Sequence, residues 1–458
     1  MTSSRRDPNL RLTVLLHECG WTGQRLADAV NSAAGRENGL ALSFDRSTVA
    51  HWLSGSRPRP VVADLITEVL SRRLGRPVSL ADIGLACRET TPPGELSALA
   101  EPLGEVIRLT DPRVQRRTVL RATLYTVTAT GLAAANAGPR RRQHDLDLPP
   151  PARPGERVGT AHVRAALLML TMFSETDMAW GGGHTLPALS TYLSTTVTSW
   201  LHTCASPTTQ GRLWSAAARL IYLAGWTCFD ETWHGAGQRY YRAAVQLAAE
   251  AGDIACHAAA LRGLSVQAHY TGHHTAALRL AEAAAGHARH LPHTQAAFLT
   301  GQHALAQAAC GDRHAALGSL GTAERLLDRA HDCPVIGGYH SSALAHQRAE
   351  VLAATGDQAG AIRALDQSLR HRPRTERRAH AVTAARLADL CLRAGRLEEA
   401  ASAYSSMLDD WPYLSSGRVD QAVRSMRASL RPHAHRAAVR TLLKRSATRP
   451  VWSPPPAT

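Results

Sequence analysis

The sequence predicts an all-α protein. Three observations carry that reading. Apolar residues recur at i, i+3 and i+4 in one segment after another. Capping residues and helix-ending glycines separate these segments. The alanine-rich stretch over residues 160–429 repeats a helix, glycine, turn, helix unit, with its glycines 39, 45 and 39 residues apart.

With 458 residues, 44% of them hydrophobic, the chain is long enough for several domains with cores of their own. The formal net charge of +15 favours an anionic partner. Lys444 is the one lysine, so 51 of the 52 basic residues are arginine, whose planar fork suits phosphate and guanine. Eight scattered cysteines, with no CxxC, fit reduced thiols in a cytoplasm. The opening residues lead straight into an amphipathic helix, without the form of a signal peptide.

Residues 1–87 read as a first domain of five helices. The first spans residues 9–19, with Leu12, Leu15, Leu16 and Cys19 as its apolar stripe and Gly20 as its stop. Thr22 caps the second, which runs to about Ala34 and turns Leu26, Ala29 and Val30 inward. An insertion over residues 35–42 follows. Asp45 caps the third helix, with Val49, Trp52 and Leu53 on one face, Gly55 as the stop, and Pro58 and Pro60 beyond. Its other face carries Arg46, Ser47, Thr48, Ala50 and His51, groups of the kind that reach base edges and phosphates. A fourth helix over residues 60–74 carries Val61, Leu65, Ile66, Val69 and Leu70, and a short fifth begins at Ser79.

Gln24, Leu26 and Ala27, followed by Ser47-Thr48-Val49, Trp52, Gly55 and Pro58, resemble the Xre/Cro-type helix-turn-helix domain. The insertion makes the connection between the two central helices longer than is usual in that family. The resemblance implies that Arg46, Ser47, Thr48 and His51 contact bases or phosphates, that Gln24 approaches the DNA backbone, and that Arg57 and Arg59 grip phosphate. It also implies a homodimer on two half-sites of double-stranded DNA.

Residues 88–158 read as a proline- and arginine-rich linker with one or two helices. Residues 112–157 hold nine arginines against three acids, a net of +6. Arg116-Arg117 and the apolar run after it resemble a twin-arginine export signal. The run begins more than a hundred residues into the chain and Arg121 interrupts it, which favours a linker helix or a packed helix over export. Residues 122–135 are too short and too polar to span a bilayer, and no membrane partner is expected.

Residues 159–431 form the repeat domain. The stretches around Gly272, Gly311, Gly356 and Gly395 each pair a helix end with a polar turn and a second alanine-bearing helix. They resemble tetratricopeptide repeats, which implies an α-solenoid of stacked helical hairpins. Residues 224–244 look like a degenerate further copy, and helices over residues 160–178 and 186–202 extend the array. A solenoid's concave face suits an extended peptide or a partner helix. Trp180, His184, Trp226, Tyr240, Tyr241 and Tyr270 are the candidate groove residues. Residues 432–458 read as a basic, proline-rich tail.

No catalytic constellation, cofactor loop or metal set is expected. The sequence holds no GxSxG, GxxxxGK[ST] or HExxH, and its 23 histidines follow no zinc spacing. Gly181-Gly182-Gly183 reads as a flexible connection into a helix starting near Leu186. The whole resembles actinobacterial regulators in which an Xre-type head precedes a tetratricopeptide array. The expectation is a cytoplasmic, nucleoid-associated, non-enzymatic regulator of transcription. Its array would sense a peptide, protein or small ligand, or mediate dimerisation. The alternative is a repeat scaffold that works through protein partners without specific DNA binding.

Overall fold

A computed structural model of the chain describes residues 8–38, 42–74, 78–85, 104, 125, 157–330 and 338–448. Every regular element among them is a helix. The expected twin-arginine stretch at Arg116-Arg117, most of the linker and the proline-rich end lie outside the described residues.

The head contains α1 (Leu10–Cys19), α2 (Gly23–Asn38), α3 (Arg46–Leu53) and α4 (Pro60–Leu74). Their inward faces meet in one core that includes Leu12, Leu26, Val30, Val49, Trp52 and Ile66. Each such side chain contributes about 1.5–3 kcal/mol on burial. Asn9 caps α1 by accepting from Leu12 N–H (3.0 Å), and its amide donates to the carbonyl of Ile83 (2.8 Å).

In α4, Val62 turns into the core while Val61 is 39% exposed. The structure corrects two expectations here. The fifth element is a single turn over residues 79–84, where Ile83 N–H reaches the Ser79 carbonyl at 3.2 Å. Helix α2 runs on to Asn38, so the expected insertion is helical in its first half. The far end of the insertion is pinned. Asn31 both donates to and accepts from the backbone of Phe44 (2.8 Å each), whose ring meets Trp52 edge-on at 5.3 Å. That clamp sets where α3 begins despite the long connection.

The array opens with α5 (Thr160–Trp180) and α6 (Gly182–Tyr192), the latter continuing through a π-helical turn to Leu201. Hairpins follow: α7 (Pro207–Asp230) with α8 (His234–Glu250), α9 (Ile254–Tyr270) with α10 (His274–Ala285), and α11 (His293–Ala309) with α12 (Arg313–Asp328). Then come α13 (Ser341–Ala354) with α14 (Gln358–His371), α15 (Arg377–Arg393) with α16 (Leu397–Asp410), and finally α17 (Gly417–Leu430) and α18 (Ala437–Arg445). Val439 and Leu442 of α18 are buried in the same core as α15 to α17, so packed helix extends past the expected boundary at residue 431.

The recurring glycines sit inside the hairpin turns. Gly272, Gly311, Gly356 and Gly395 have φ of +88°, +89°, +91° and +75°, the left-handed region where a Cβ is strained. In the α7–α8 turn Thr232 takes that position, with φ +62°. The next residue is Asp312 or Asp357 in two of the turns, and each caps its own second helix by accepting from Ala315 or Gly360 N–H. Buried alanines such as Ala224, Ala277, Ala304 and Ala388 let neighbouring helices approach closely.

The array curves until its two ends meet. Gly183 N–H donates to the Ser415 carbonyl (2.9 Å), and Ser415 N–H to that of Trp180 (2.8 Å). Gly182 N–H and Ser416 Oγ–H donate to the two carboxylate oxygens of Asp230 (2.9 Å each). A Cβ on Gly182 would lie 2.5 Å from the Thr227 carbonyl oxygen, and one on Gly417 2.6 Å from that of Glu231. Residues 181–183 are therefore a tight junction and the start of α6, not a flexible connection. No helix among the described residues is long and apolar enough to cross a membrane.

Candidate nucleic-acid interface and interior cavity

Helix α3 is short, and its first turn is built by one carboxylate. Asp45 Oδ1 accepts from Thr48 N–H (2.9 Å), Thr48 Oγ1–H (2.7 Å) and Ser47 Oγ–H (2.8 Å). These bonds, the one from the Thr48 backbone first, hold the Asp45 carboxyl down at about 2. Val49 and Trp52 anchor the inner face. Arg46, Ser47 and His51 are exposed on the outer face, and Thr48 is half-buried beside them. Arg57 and Arg59 are exposed just after the helix.

Arg46, Ser47, Thr48 and His51 thus share the outer face of α3. Gln24 is exposed, and its amide also works within the head: Oε1 accepts from Arg46 N–H (3.2 Å) and Nε2 donates to Asp28 (2.9 Å). It ties the N-terminus of α2 to that of α3.

The head meets the array through α4, not α3. Glu68 is buried and reaches His273 Nε2 at 2.6 Å and Arg72 at 2.9 Å. Tyr125 stacks on the His273 ring with centroids 5.6 Å apart. His273 follows Gly272 in its turn, the place that Asp312 and Asp357 hold in theirs. It makes no side-chain cap to α10 and is turned towards the head instead. His234, buried at the start of α8, is driven down to about 3 by burial, with Arg72 and Arg418 adding to the effect.

Inside the curve lies a cavity of about 590 Å³, well within the usual range for small-molecule sites. Its helical walls are the first helices of successive hairpins (α7, α9, α11, α13, α15 and α17), with Met178 from α5. Five arginines line it against three carboxylates. Arg386 makes a two-pronged pair with Glu350 (2.7 and 2.8 Å), and Arg372 pairs with Glu376 at 2.7 Å. Arg378 pairs with Asp177 at 2.8 Å, close to Asp230 at 3.9 Å, and its guanidinium lies over Trp226. Burial raises Asp177 to about 6 against the pull of Arg378. His269 and His346 on the wall are lowered to about 4, burial being the first cause, so both are neutral at pH 7.

Two of the six expected groove residues, Trp226 and Tyr270, line this cavity. Tyr240 and Tyr241 do not: both are fully buried. The Tyr241 ring fits between Gly225 of α7 and Gly263 of α9, where an added Cβ would come within 2.8 and 2.5 Å of it. Trp180 and His184 pack edge-on (5.0 Å) at the junction of the array's ends and do not line the cavity. Sequence reasoning missed Arg262 and Arg418. The available signal for the first was its spacing, since Arg262, Val266 and Tyr270 lie four apart on one helix face. Among the described residues, no three or more histidine, cysteine or acidic side chains gather as a metal site.

Residues 12–86, essentially the head, match the family model described as the SP15 N-terminal domain, which is not one of the Xre-type helix-turn-helix families. No curated protein matches the chain.

Proposed function

We propose that this chain is a DNA-binding regulator whose repeat array carries the signal and whose α3 reads the site. One observation carries the reading. In the full chain the head is held through α4, so the outer face of α3 with Arg46, Ser47 and His51, and the flanking Arg57 and Arg59, stays exposed. A short, firmly capped helix with small polar groups and an arginine fits the major groove. Arginines beyond it add salt-dependent attraction to phosphate. The charge of +15 supports an anionic partner. A homodimer on paired half-sites, in a cytoplasmic and nucleoid setting, belongs to the same proposal.

The Glu68–His273 contact is the route by which the array acts on the head. Tyr270, on the cavity wall, lies three residues before His273 on the same hairpin.

The test is differential. Arg46→Ala relaxes sequence preference, whereas Arg59→Ala weakens binding about evenly across sequences and lowers the salt slope by about one. His273→Ala changes the affinity of the full chain without changing its preferred sequence. If Arg46→Ala binds specific and random duplex as the wild type does, α3 is not the reader, and a scaffold that works through protein partners takes its place.

A further inference from the structure

Two of the five arginines around the interior cavity have no carboxylate within ion-pair distance among the described residues. Arg372, Arg378 and Arg386 each have a carboxylate partner. Arg262 and Arg418 line the same cavity and have none among the described residues. Arg262 is buried. Its Nε–H donates to the Phe298 carbonyl (2.9 Å), and its guanidinium lies 3.6 Å from the centre of the Phe298 ring. Arg418 is half-buried over Phe229 (4.8 Å) and Tyr270 (5.6 Å).

Each is a flat cation resting on an aromatic wall, with donors of its fork left over. A buried guanidinium such as that of Arg262, taken out of water without a counter-ion, is destabilised. An anion entering the cavity would offset that cost, and the neighbouring rings supply apolar area for the rest of the molecule.

We propose that the cavity binds a small organic acid: a flat, largely apolar body lying against Phe229, Tyr270 and Phe298, with its anionic oxygens paired to Arg262 and Arg418. His269 and His346, neutral at pH 7, do not compete for the anion, and the charges of the other three arginines are already paired with Glu350, Glu376 and Asp177. This names the ligand class for the sensing role proposed above and rests on that reading only for its consequence at the head.

The probe is 8-anilinonaphthalene-1-sulfonate, an aromatic oxyanion whose fluorescence reports an apolar site, compared with its uncharged relative N-phenyl-1-naphthylamine. Both are titrated into the native full chain, with circular dichroism confirming the fold of each variant. The expected result is saturable binding of the sulfonate, tighter than the neutral dye. In Arg418→Met it weakens by at least about tenfold while the neutral dye is unchanged. Arg262→Lys tests the buried site with the charge retained, and its loss of the planar fork also weakens the sulfonate. Equal binding of the two dyes, or sulfonate affinity within twofold of wild type in a folded Arg418→Met chain, overturns the proposal. DNA affinity with and without the sulfonate is measured separately. Arginine-dependent dye binding with unaltered DNA affinity leaves this inference standing and removes the sensing role.

Discussion

Glycine does opposite work in two regions of the array. In the hairpin turns at Gly272, Gly311, Gly356 and Gly395 the backbone has positive φ, and an added Cβ would meet nothing within 4 Å. There the residue is chosen for conformation. Where the ends of the array join, Gly182 and Gly417 are chosen for space, because a Cβ would strike the backbone of α7 or of the residue after it. The turns shape each hairpin locally. The junction decides how many hairpins close around one cavity. Stability should therefore respond to different chemistry in the two places.

The largest effect belongs to the junction. Arg378 pairs with Asp177 and lies near Asp230, which itself holds Gly182 and Ser416. Arg378→Ala leaves two carboxylates buried without their cation. It costs about 3–5 kcal/mol, read as a lower midpoint in urea denaturation. An unchanged midpoint would mean that the ends do not depend on this network.

Next come the glycines themselves. Gly182→Ala costs up to about 3 kcal/mol by overpacking, and Gly311→Ala about 1–2 kcal/mol by backbone strain. The sharper test is the ranking of asparagine against alanine. Asparagine tolerates the left-handed region, so Gly311→Asn is milder than Gly311→Ala. At Gly182 the larger side chain is the worse one. The same ranking at both sites would erase the distinction.

A pH effect comes third. The folded-state values of His234, His269 and His346 are lowered to about 3, 4 and 4 by burial. Between about pH 6.5 and 4 the unfolded chain therefore binds more protons than the folded one, and stability is lost as pH falls through that window. Asp177, raised to about 6, and Asp64, raised by burial, oppose this. Thermal melts at pH 7 and pH 5 check the sign, and His346→Gln reduces the difference.

The smallest effect is a gain. Thr232 takes at φ +62° the place that glycine holds in the other turns. Thr232→Gly relieves strain in the folded state but loosens the unfolded chain, for a net stabilisation of roughly 0.5–1 kcal/mol in a thermal melt.

What was legible in the sequence follows the same division. The turn glycines announced themselves because the cause is local: a helix end, a polar turn and a second helix lie within a dozen positions. Asp45 as a cap, and Val49 and Trp52 as the inner face of α3, were readable for the same reason. The junction was not. The groups that crowd Gly182 are Thr227 and Asp230, and those that hold Gly183 begin at Ser415, far along the chain. A triple glycine with distant partners reads as slack until they are in place. Tyr240 and Tyr241 misled because an aromatic ring does not declare which way it faces, and the glycines flanking Tyr241 come from two other helices. His273 carried no mark of its contact with Glu68, although it broke the pattern of Asp312 and Asp357. Arg262 hid on an otherwise apolar face, where one charge in a helix is easily taken for surface.

The central claim concerns α3, and the direct measurement is selection of bound genomic DNA fragments by the purified full-length protein at two salt concentrations. The account predicts a recurring sequence motif that survives the higher salt and is lost in Arg46→Ala. Uniform binding that vanishes with salt would contradict it, leaving the charge of +15 as non-specific attraction and the array as the part that recognises a partner.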